Sequence, residues 1–115
     1  MIDFVTSPIS DSAVLVRVGG NLQESNRSYF FDCVGDIVDS GVSHIVVECN
    51  KLGLISSSGL AALLLARKKA TRKGCKIYLT HLNSGLADLL KITRLGRIFS
   101  VYPTTEEALA KFQKA

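Results

Sequence analysis

The sequence predicts a single α/β domain over residues 1–115, with a mixed, largely parallel sheet of four to five strands and about four helices. The first reason is an alternation of strand-like and helix-like segments from Ala13 onward, which is typical of parallel sheets with crossover helices. The second is length, because 115 residues suffice for one hydrophobic core. The third is composition: 47% of the residues are hydrophobic and none is Trp, so we expect an aliphatic core.

The N-terminal segment predicts a hairpin. Ile2–Thr6 is a short strand candidate, and Ala13–Val18 is a stronger one because it is rich in Val. A turn over Pro8–Ser12 would join them, and Gly19–Gly20 would end the second strand. A polar loop is expected at Asn21–Glu24.

A helix and a buried strand are predicted next. Ser25 or Asn26 can cap a helix whose apolar residues recur at helical spacing, namely Phe30, Phe31, Val34, Ile37 and Val38. The short segment Ser43–Cys49 is predicted to be a strand buried on both faces.

The central stretch, Leu52–Leu65, is predicted to leave that strand as a loop and to continue into a helix from about Ser57 to Arg72. Three consecutive serines and Gly59 lie where the loop meets the helix. Short hydroxyl side chains cap helix starts, so capping is the simplest interpretation of Ser56–Ser58. A glycine in the first turn lets another backbone or a partner come close.

The C-terminal part completes the alternation. Lys76–Thr80 is a strand candidate, and Ser84–Thr93 is a helix candidate with an apolar side made of Leu86, Leu89, Leu90 and Ile92. Ile98–Tyr102 is a candidate edge strand. Thr104 and Glu107 form a capping box, which predicts a last helix through Phe112.

The usual signatures of enzymes and metal sites are absent from the sequence. Gly53 and Gly59 lie too far apart for a P-loop, and Leu60 stands where the lysine is required. No G-x-S-x-G occurs, and His44 and His81 have no metal-ligand spacing. The three cysteines form no CxxC pair and are interpreted as reduced thiols. We therefore predict no catalytic residues, no metal and no cofactor.

The charge pattern indicates neither a nucleic-acid nor a membrane partner. The formal net charge is only +4, and the basic outer face of the central helix, made of Arg67, Lys68, Lys69, Arg72 and Lys73, is interpreted as a solvated surface. Nucleic-acid binding stays a minor alternative, since no aromatic residue interrupts this basic run. The apolar run Leu60–Ala66 is too short to cross a bilayer, and the N-terminus does not resemble a signal peptide.

Several of these motifs together resemble the STAS domain, and within that family the bacterial anti-sigma factor antagonists. The resemblance rests on G-N-L at Gly20–Leu22, on L-x-x-I-S-S-S-G-L at Leu52–Leu60 and on L-x-x-L-L-x-I-T-x-L at Leu86–Leu95. It covers nearly the whole chain and implies a single STAS-like α/β domain.

The resemblance also implies a function. In such antagonists an anti-sigma factor that is also a serine kinase, with a histidine-kinase-like ATPase domain, phosphorylates a serine before the helix. The unphosphorylated antagonist binds this kinase and thereby releases the sigma factor, and a PP2C-type phosphatase resets the system. The chain would then be a cytoplasmic binding module rather than an enzyme, because the kinase supplies ATP and Mg²⁺.

On this resemblance Ser57 is the phosphate acceptor, and the residues expected to contact the partner are Gln23, Glu24, Ser56, Ser58, Gly59 and Ala61. The family motif is typically D-S-S-G-L, and here Ser56 stands in the aspartate position. Gln23 likewise replaces the aspartate that usually follows G-x-L. An alternative is a STAS subunit that docks constitutively in a signalling or lipid-transport complex, with Ser57 serving only as a cap.

Overall fold

The chain folds around one five-stranded sheet whose strands follow one another in sequence order, β1-β2-β3-β4-β5. The structure is a computed structural model and describes residues 2–113. Its strands are β1 (Ile2–Ser10), β2 (Ala13–Leu22), β3 (His44–Ile55), β4 (Lys76–Thr80) and β5 (Ser100–Tyr102). The β1–β2 pair is antiparallel and the other three pairs are parallel, which confirms the predicted mixed, largely parallel sheet.

Four α-helices connect or flank these strands. They are α1 (Arg27–Asp39), α2 (Ser57–Arg72), α3 (Ser84–Ile92) and α4 (Thr105–Leu109), with a 3-10 turn at Leu95–Arg97. The predicted bounds of α2 are confirmed at both ends, and Gly74 beyond it adopts a φ of +73°, which suits a residue without Cβ. None of the helices within residues 2–113 has the length and apolar character needed to cross a membrane.

The hairpin was predicted correctly, but its strands are longer than expected. β1 runs through Pro8 to Ser10, and the turn is confined to Asp11 and Ser12. Proline lacks the N–H that an inner strand needs, and β1 tolerates it because this strand lies at the sheet edge and shifts register after Pro8. The predicted end of β2 at Gly19–Gly20 was therefore also wrong, since both glycines pair with β3.

The central stretch differs from its prediction in the same way. Leu52–Ile55 was expected to be a loop, but β3 continues through it, because Gly20 and Leu22 of β2 pair with Leu52 and Ile55. The strand therefore ends directly before the start of α2. This arrangement leaves a single residue, Ser56, between β3 and α2.

The two faces of the sheet are covered unequally. Helices α1, α2 and α3 cover one face and bury an almost entirely aliphatic core that includes Ile45 and Val47 of β3. On the other face Val46 packs with Tyr78 and with Ala108 of α4. β3 is thus buried on both faces over this segment, as predicted.

Two predictions for the C-terminal helices were wrong. Ile92 was placed on the apolar side of α3, but it is the last residue of the helix and its side chain is 80% exposed. α4 was expected to continue to Phe112, but it ends at Leu109. The capping prediction for α4 is confirmed, because the Thr104 side chain accepts a hydrogen bond from the Glu107 N–H.

Candidate functional site

The three serines at the start of α2 have different roles. Ser56 is the N-cap, and its Oγ accepts a hydrogen bond from the Gly59 N–H at 3.1 Å. Ser57 is the first residue of the helix and is exposed, whereas Ser58 is half-buried. Capping is therefore the task of Ser56, and the exposed Ser57 hydroxyl is left free to meet another molecule.

Gly59 fixes the start of α2 against the end of β2. A Cβ added at Gly59 would overlap the Leu22 carbonyl oxygen and come within 2.8 Å of the Leu22 carbonyl carbon. The same carbonyl oxygen accepts a hydrogen bond from the Ser56 N–H at 2.9 Å. The backbone that approaches Gly59 closely thus belongs to this chain, and contact of the buried Gly59 with a partner stays a prediction.

Two asparagines hold the end of β3 in place. Asn21 Oδ1 accepts a hydrogen bond from the Leu54 N–H at 3.0 Å, and Asn83 Nδ2 donates one to the Leu52 carbonyl at 2.8 Å. Asn83 also caps α3 by accepting from the Leu86 N–H. The segment before Ser57 is therefore linked to both β2 and α3.

Leu54 is the residue that this framework presents to solvent. Its side chain is 73% exposed, two residues before the cap of α2. Sequence reasoning missed Leu54, Asn21 and Asn83 as parts of the site. A usable signal was the Asn in G-N-L and the Asn immediately before Ser84, since asparagine favours caps and turns.

The remaining predicted contact residues differ in the contacts that they already make within this chain. Gln23 follows Leu22 directly and is exposed, with its N–H donating to Asn26 Oδ1 at 2.9 Å. Ala61 is exposed one turn after Ser57 and shares its helix face. Glu24 instead forms an exposed ion pair with Arg27 at 2.9 Å. We name Gln23, Leu54, Ser56–Ser58 and Ala61 the serine corner.

The serine corner is uncharged, and it lies at a positive helix end. None of its residues carries a formal charge, and the first turn of α2 holds no acidic side chain. A helix start carries a partial positive charge and N–H groups that favour an anion. A negative group on Ser57 would therefore be accommodated by the helix while changing the surface charge of the corner.

A second polar cluster lies on the sheet face covered by α4, and sequence reasoning did not predict it. The Glu48 carboxylate accepts hydrogen bonds from Arg17 Nε at 2.9 Å and from the Thr105 hydroxyl. Thr105 also donates its N–H to His81 Nε2 at 3.2 Å. Burial alone would raise the pKa of Glu48, but the hydrogen bonds from Thr105 and Arg17 outweigh it and lower this pKa. The cluster thus anchors α4 to the sheet with an ionised carboxylate.

The cysteines behave as structural thiols. Burial raises the pKa of Cys49 to about 12 and that of Cys75 to about 11, so both stay protonated at neutral pH. Within residues 2–113 all three cysteines are free, and no group of three or more potential ligands is arranged to hold a metal ion.

Comparison with protein families decides which class this fold and corner represent. The model of the STAS domain matches residues 5–108. This chain belongs to the STAS domain family. Membership confirms the resemblance seen in the sequence and the prediction of a binding module rather than an enzyme.

Individual relatives agree with this assignment. BtrV of Bordetella bronchiseptica, described as a candidate anti-sigma factor antagonist, is 31% identical over 105 residues, which cover 91% of this chain and 90% of BtrV. An anti-sigma factor antagonist from Mycobacterium paratuberculosis superposes with a TM-score of 0.86 at 18% identity, covering 99% of this STAS chain and 96% of its own. SpoIIAA, a cell fate determinant of Bacillus, in its phosphorylated form, gives a TM-score of 0.74 at 18% identity over 96% of this chain and 100% of its own.

Proposed function

We propose that this STAS protein is an anti-sigma factor antagonist that docks an anti-sigma serine kinase through the serine corner and is switched off by phosphorylation of Ser57. The observation that carries the proposal is the separation of roles at the start of α2. Ser56 caps the helix, and the hydroxyl of the exposed Ser57 is not the capping group. Relatives described as antagonists, and the phosphorylated form of SpoIIAA, support the same function.

The mechanism needs only a local change of charge. Phosphorylation adds nearly two negative charges and three acceptor oxygens to a surface that is neutral in this chain. The helix start tolerates the phosphate because its N–H groups face the anion. A partner that packs closely against Ala61 and Leu54 would meet a bulky dianion, and the complex would dissociate without any refolding of the domain.

The partners follow from this mechanism. The kinase supplies ATP, Mg²⁺ and the catalytic base, since the antagonist acts as its substrate. A PP2C-type phosphatase would remove the phosphate and restore binding. These exchanges would take place in the cytoplasm, where sigma factors act.

The replacement of the usual aspartate by Ser56 fits the proposal. An aspartate at the N-cap and a serine at the N-cap both accept a hydrogen bond from the first turn, so the helix start is preserved. The serine removes one negative charge next to the acceptor. A kinase that recognises this corner would therefore meet a more neutral substrate than the usual D-S-S-G-L.

The proposal is tested by incubating the purified protein with ATP and the serine kinases of its own organism, and by locating the modified residue with mass spectrometry. We expect a single phosphate on Ser57. Ser57→Ala should abolish labelling, whereas Ser58→Ala, a matched change one residue away, should retain most of it. Phosphate on Ser56 or Ser58 of the parent protein would show that the acceptor is misassigned.

A further inference from the structure

The last strand of the sheet, β5, leaves one edge of the sheet open. It is three residues long and pairs with β4 alone within residues 2–113. Two exposed large apolar side chains lie in β5 or just before it, namely Val101, with 38% of its surface exposed, and Ile98, with 41%. Open edges with exposed apolar residues are surfaces to which another strand can be added.

Cations line two grooves that adjoin this edge on the sheet face covered by α2 and α3. A groove of about 480 Å³ between α3 and β5 has Leu82, Leu90 and Val101 in its wall, together with Lys91, Arg94 and Arg97. A neighbouring groove is lined by Ile98 and Ser100, together with Arg67 and Lys76. Among residues 2–113 no acidic side chain lines either groove. We name β5, Ile98 and these five cations the basic edge.

The positive charge of the basic edge is not neutralised by ion pairs. The ion pairs formed within residues 2–113 involve Arg17, Arg27 and Lys69 and none of the five cations of this edge. Arg67 Nε donates a hydrogen bond to the Ile98 carbonyl at 3.1 Å, which fixes its guanidinium beside the edge. The edge therefore presents charge that forms no ion pair within these residues, next to apolar side chains, although Lys76 Nζ lies 5.3 Å from the centroid of the Tyr78 ring.

Arg94 is held in an unusual backbone conformation at this place. Its φ is +62°, in the left-handed region where glycine or asparagine is the usual residue and other residues are strained. The turn that it makes connects α3 to the 3-10 turn, and thereby puts Lys91, Arg94 and Arg97 along one groove. An arginine thus stands at a position whose backbone conformation glycine or asparagine would adopt with less strain.

We propose that the basic edge binds an extended acidic segment of a partner protein, which adds to β5 as a further strand. Main-chain hydrogen bonds to β5 would provide affinity, acidic side chains would meet the cations, and an apolar side chain would enter the groove at Val101. This surface is distinct from the serine corner and does not depend on phosphorylation of Ser57.

The side chains of the basic edge favour an acidic segment over two other possible ligands, a second copy of this chain and single-stranded nucleic acid. A second copy of the chain, with its net charge of +4, would bring like charges together if two basic edges paired. Single-stranded nucleic acid is bound by cations combined with aromatic stacking surfaces. Neither groove is lined by an aromatic residue, and Tyr102 of β5 packs against Tyr78 on the face covered by α4. An acidic strand satisfies both the open edge and the cations.

The test uses a fluorescein-labelled peptide that alternates Glu and Val, with a Lys–Val peptide of the same length as control. Binding to the full chain is measured by fluorescence anisotropy, and the contact surface is located by shifts of backbone amide NMR signals. We expect saturable binding of the acidic peptide, no binding of the basic one, and the largest shifts in Ser100–Tyr102.

Charge reversal then tests the cations. The double variant Arg94→Glu/Arg97→Glu should weaken binding about tenfold or more, since attraction becomes repulsion at two positions. The neutral pair Arg94→Gln/Arg97→Gln should weaken it less. Lys68→Glu/Lys73→Glu changes the net charge equally on the outer side of α2 and should alter the affinity less than about twofold, because screening limits distant charges. Unfolding curves of each variant confirm the fold.

Three results would overturn the proposal. They are absence of saturable binding by the parent protein, an equal loss in the Lys68/Lys73 control, and amide shifts centred away from β5. Tighter binding of an oligothymidylate probe at the same edge would identify nucleic acid, and not an acidic segment, as the ligand of the basic edge.

Discussion

The first turn of α2 and the later turns of the same helix differ in their exposure to solvent. In the first turn Ser57 faces solvent and its hydroxyl is not needed for capping. Farther along, Leu63, Ala66 and Ala70 are buried in the core, with at most 5% of each exposed. The proposed regulatory site would thus lie on a stable domain, because the surface turn can change charge while the buried turns keep the fold.

The largest expected effect on stability comes from the buried turns of α2. Leu63→Ala removes a side chain packed in the aliphatic core and should lower the free energy of unfolding by about 2–5 kcal/mol. Leu65→Ala, in the same helix at a position that is 53% exposed, is the matched control and should have a much smaller effect. Thermal and denaturant unfolding measure both. Similar stability for the two variants would mean that the buried face of α2 is wrongly assigned. Leu64 is only partly buried, so its truncation should cost less than that of Leu63.

The next effect tests the boundary between the two regions, because Gly59 lies in the first turn yet is buried. Gly59→Ala introduces a Cβ that overlaps the Leu22 carbonyl, and overpacking of this kind should cost about 1–3 kcal/mol of the free energy of unfolding. Denaturant unfolding beside Ser58→Ala, a small change at the preceding residue, separates this clash from a general effect of substitution. An unchanged denaturation midpoint for Gly59→Ala would show that α2 can move away from β2 without a loss of stability.

The N-cap gives a smaller loss of stability. Ser56→Ala removes the acceptor of the Gly59 N–H and should cost about 0.5–2 kcal/mol of the free energy of unfolding. Ser56→Asp restores an acceptor and should recover most of this loss, which separates the missing hydrogen bond from other effects of the substitution. Equal stability of the parent and Ser56→Ala, measured by denaturant unfolding, would contradict the capping role.

The features that could be predicted from the sequence are those set by contacts between residues that are close together in the chain. The bounds of α2 were predicted correctly because the signals that set them, a serine cap, helical periodicity and Gly74, lie in the helix or directly beside it in the sequence. The extension of β3 through Leu52–Ile55 was missed because it depends on pairing with β2, which is distant in sequence. The two asparagines that hold the end of β3 were missed for the same reason, since Asn21 and Asn83 contact β3 across 33 and 31 residues.

The smallest expected effect on stability belongs to the proposed switch itself. Ser57→Asp places a carboxylate at the positive end of α2 and should raise the free energy of unfolding by about 0.3–1 kcal/mol. Ser57→Asn, which has a similar shape without the charge, is the matched control and should not show this gain. Unfolding at low and at high salt measures it, because screening should reduce the effect of the charge. A clear loss of stability in Ser57→Asp would contradict the account of the first turn.

The measurement that tests the central claim most directly is a binding titration of the parent protein, Ser57→Ala and Ser57→Asp against the purified kinase, with unfolding curves recorded alongside. We predict that the parent and Ser57→Ala bind with similar affinity and that Ser57→Asp binds more weakly, although it is at least as stable. The loss should be partial, since a carboxylate carries less charge than a phosphate. Equal affinity for all three folded proteins would remove Ser57 from the interface and favour a STAS subunit that docks constitutively.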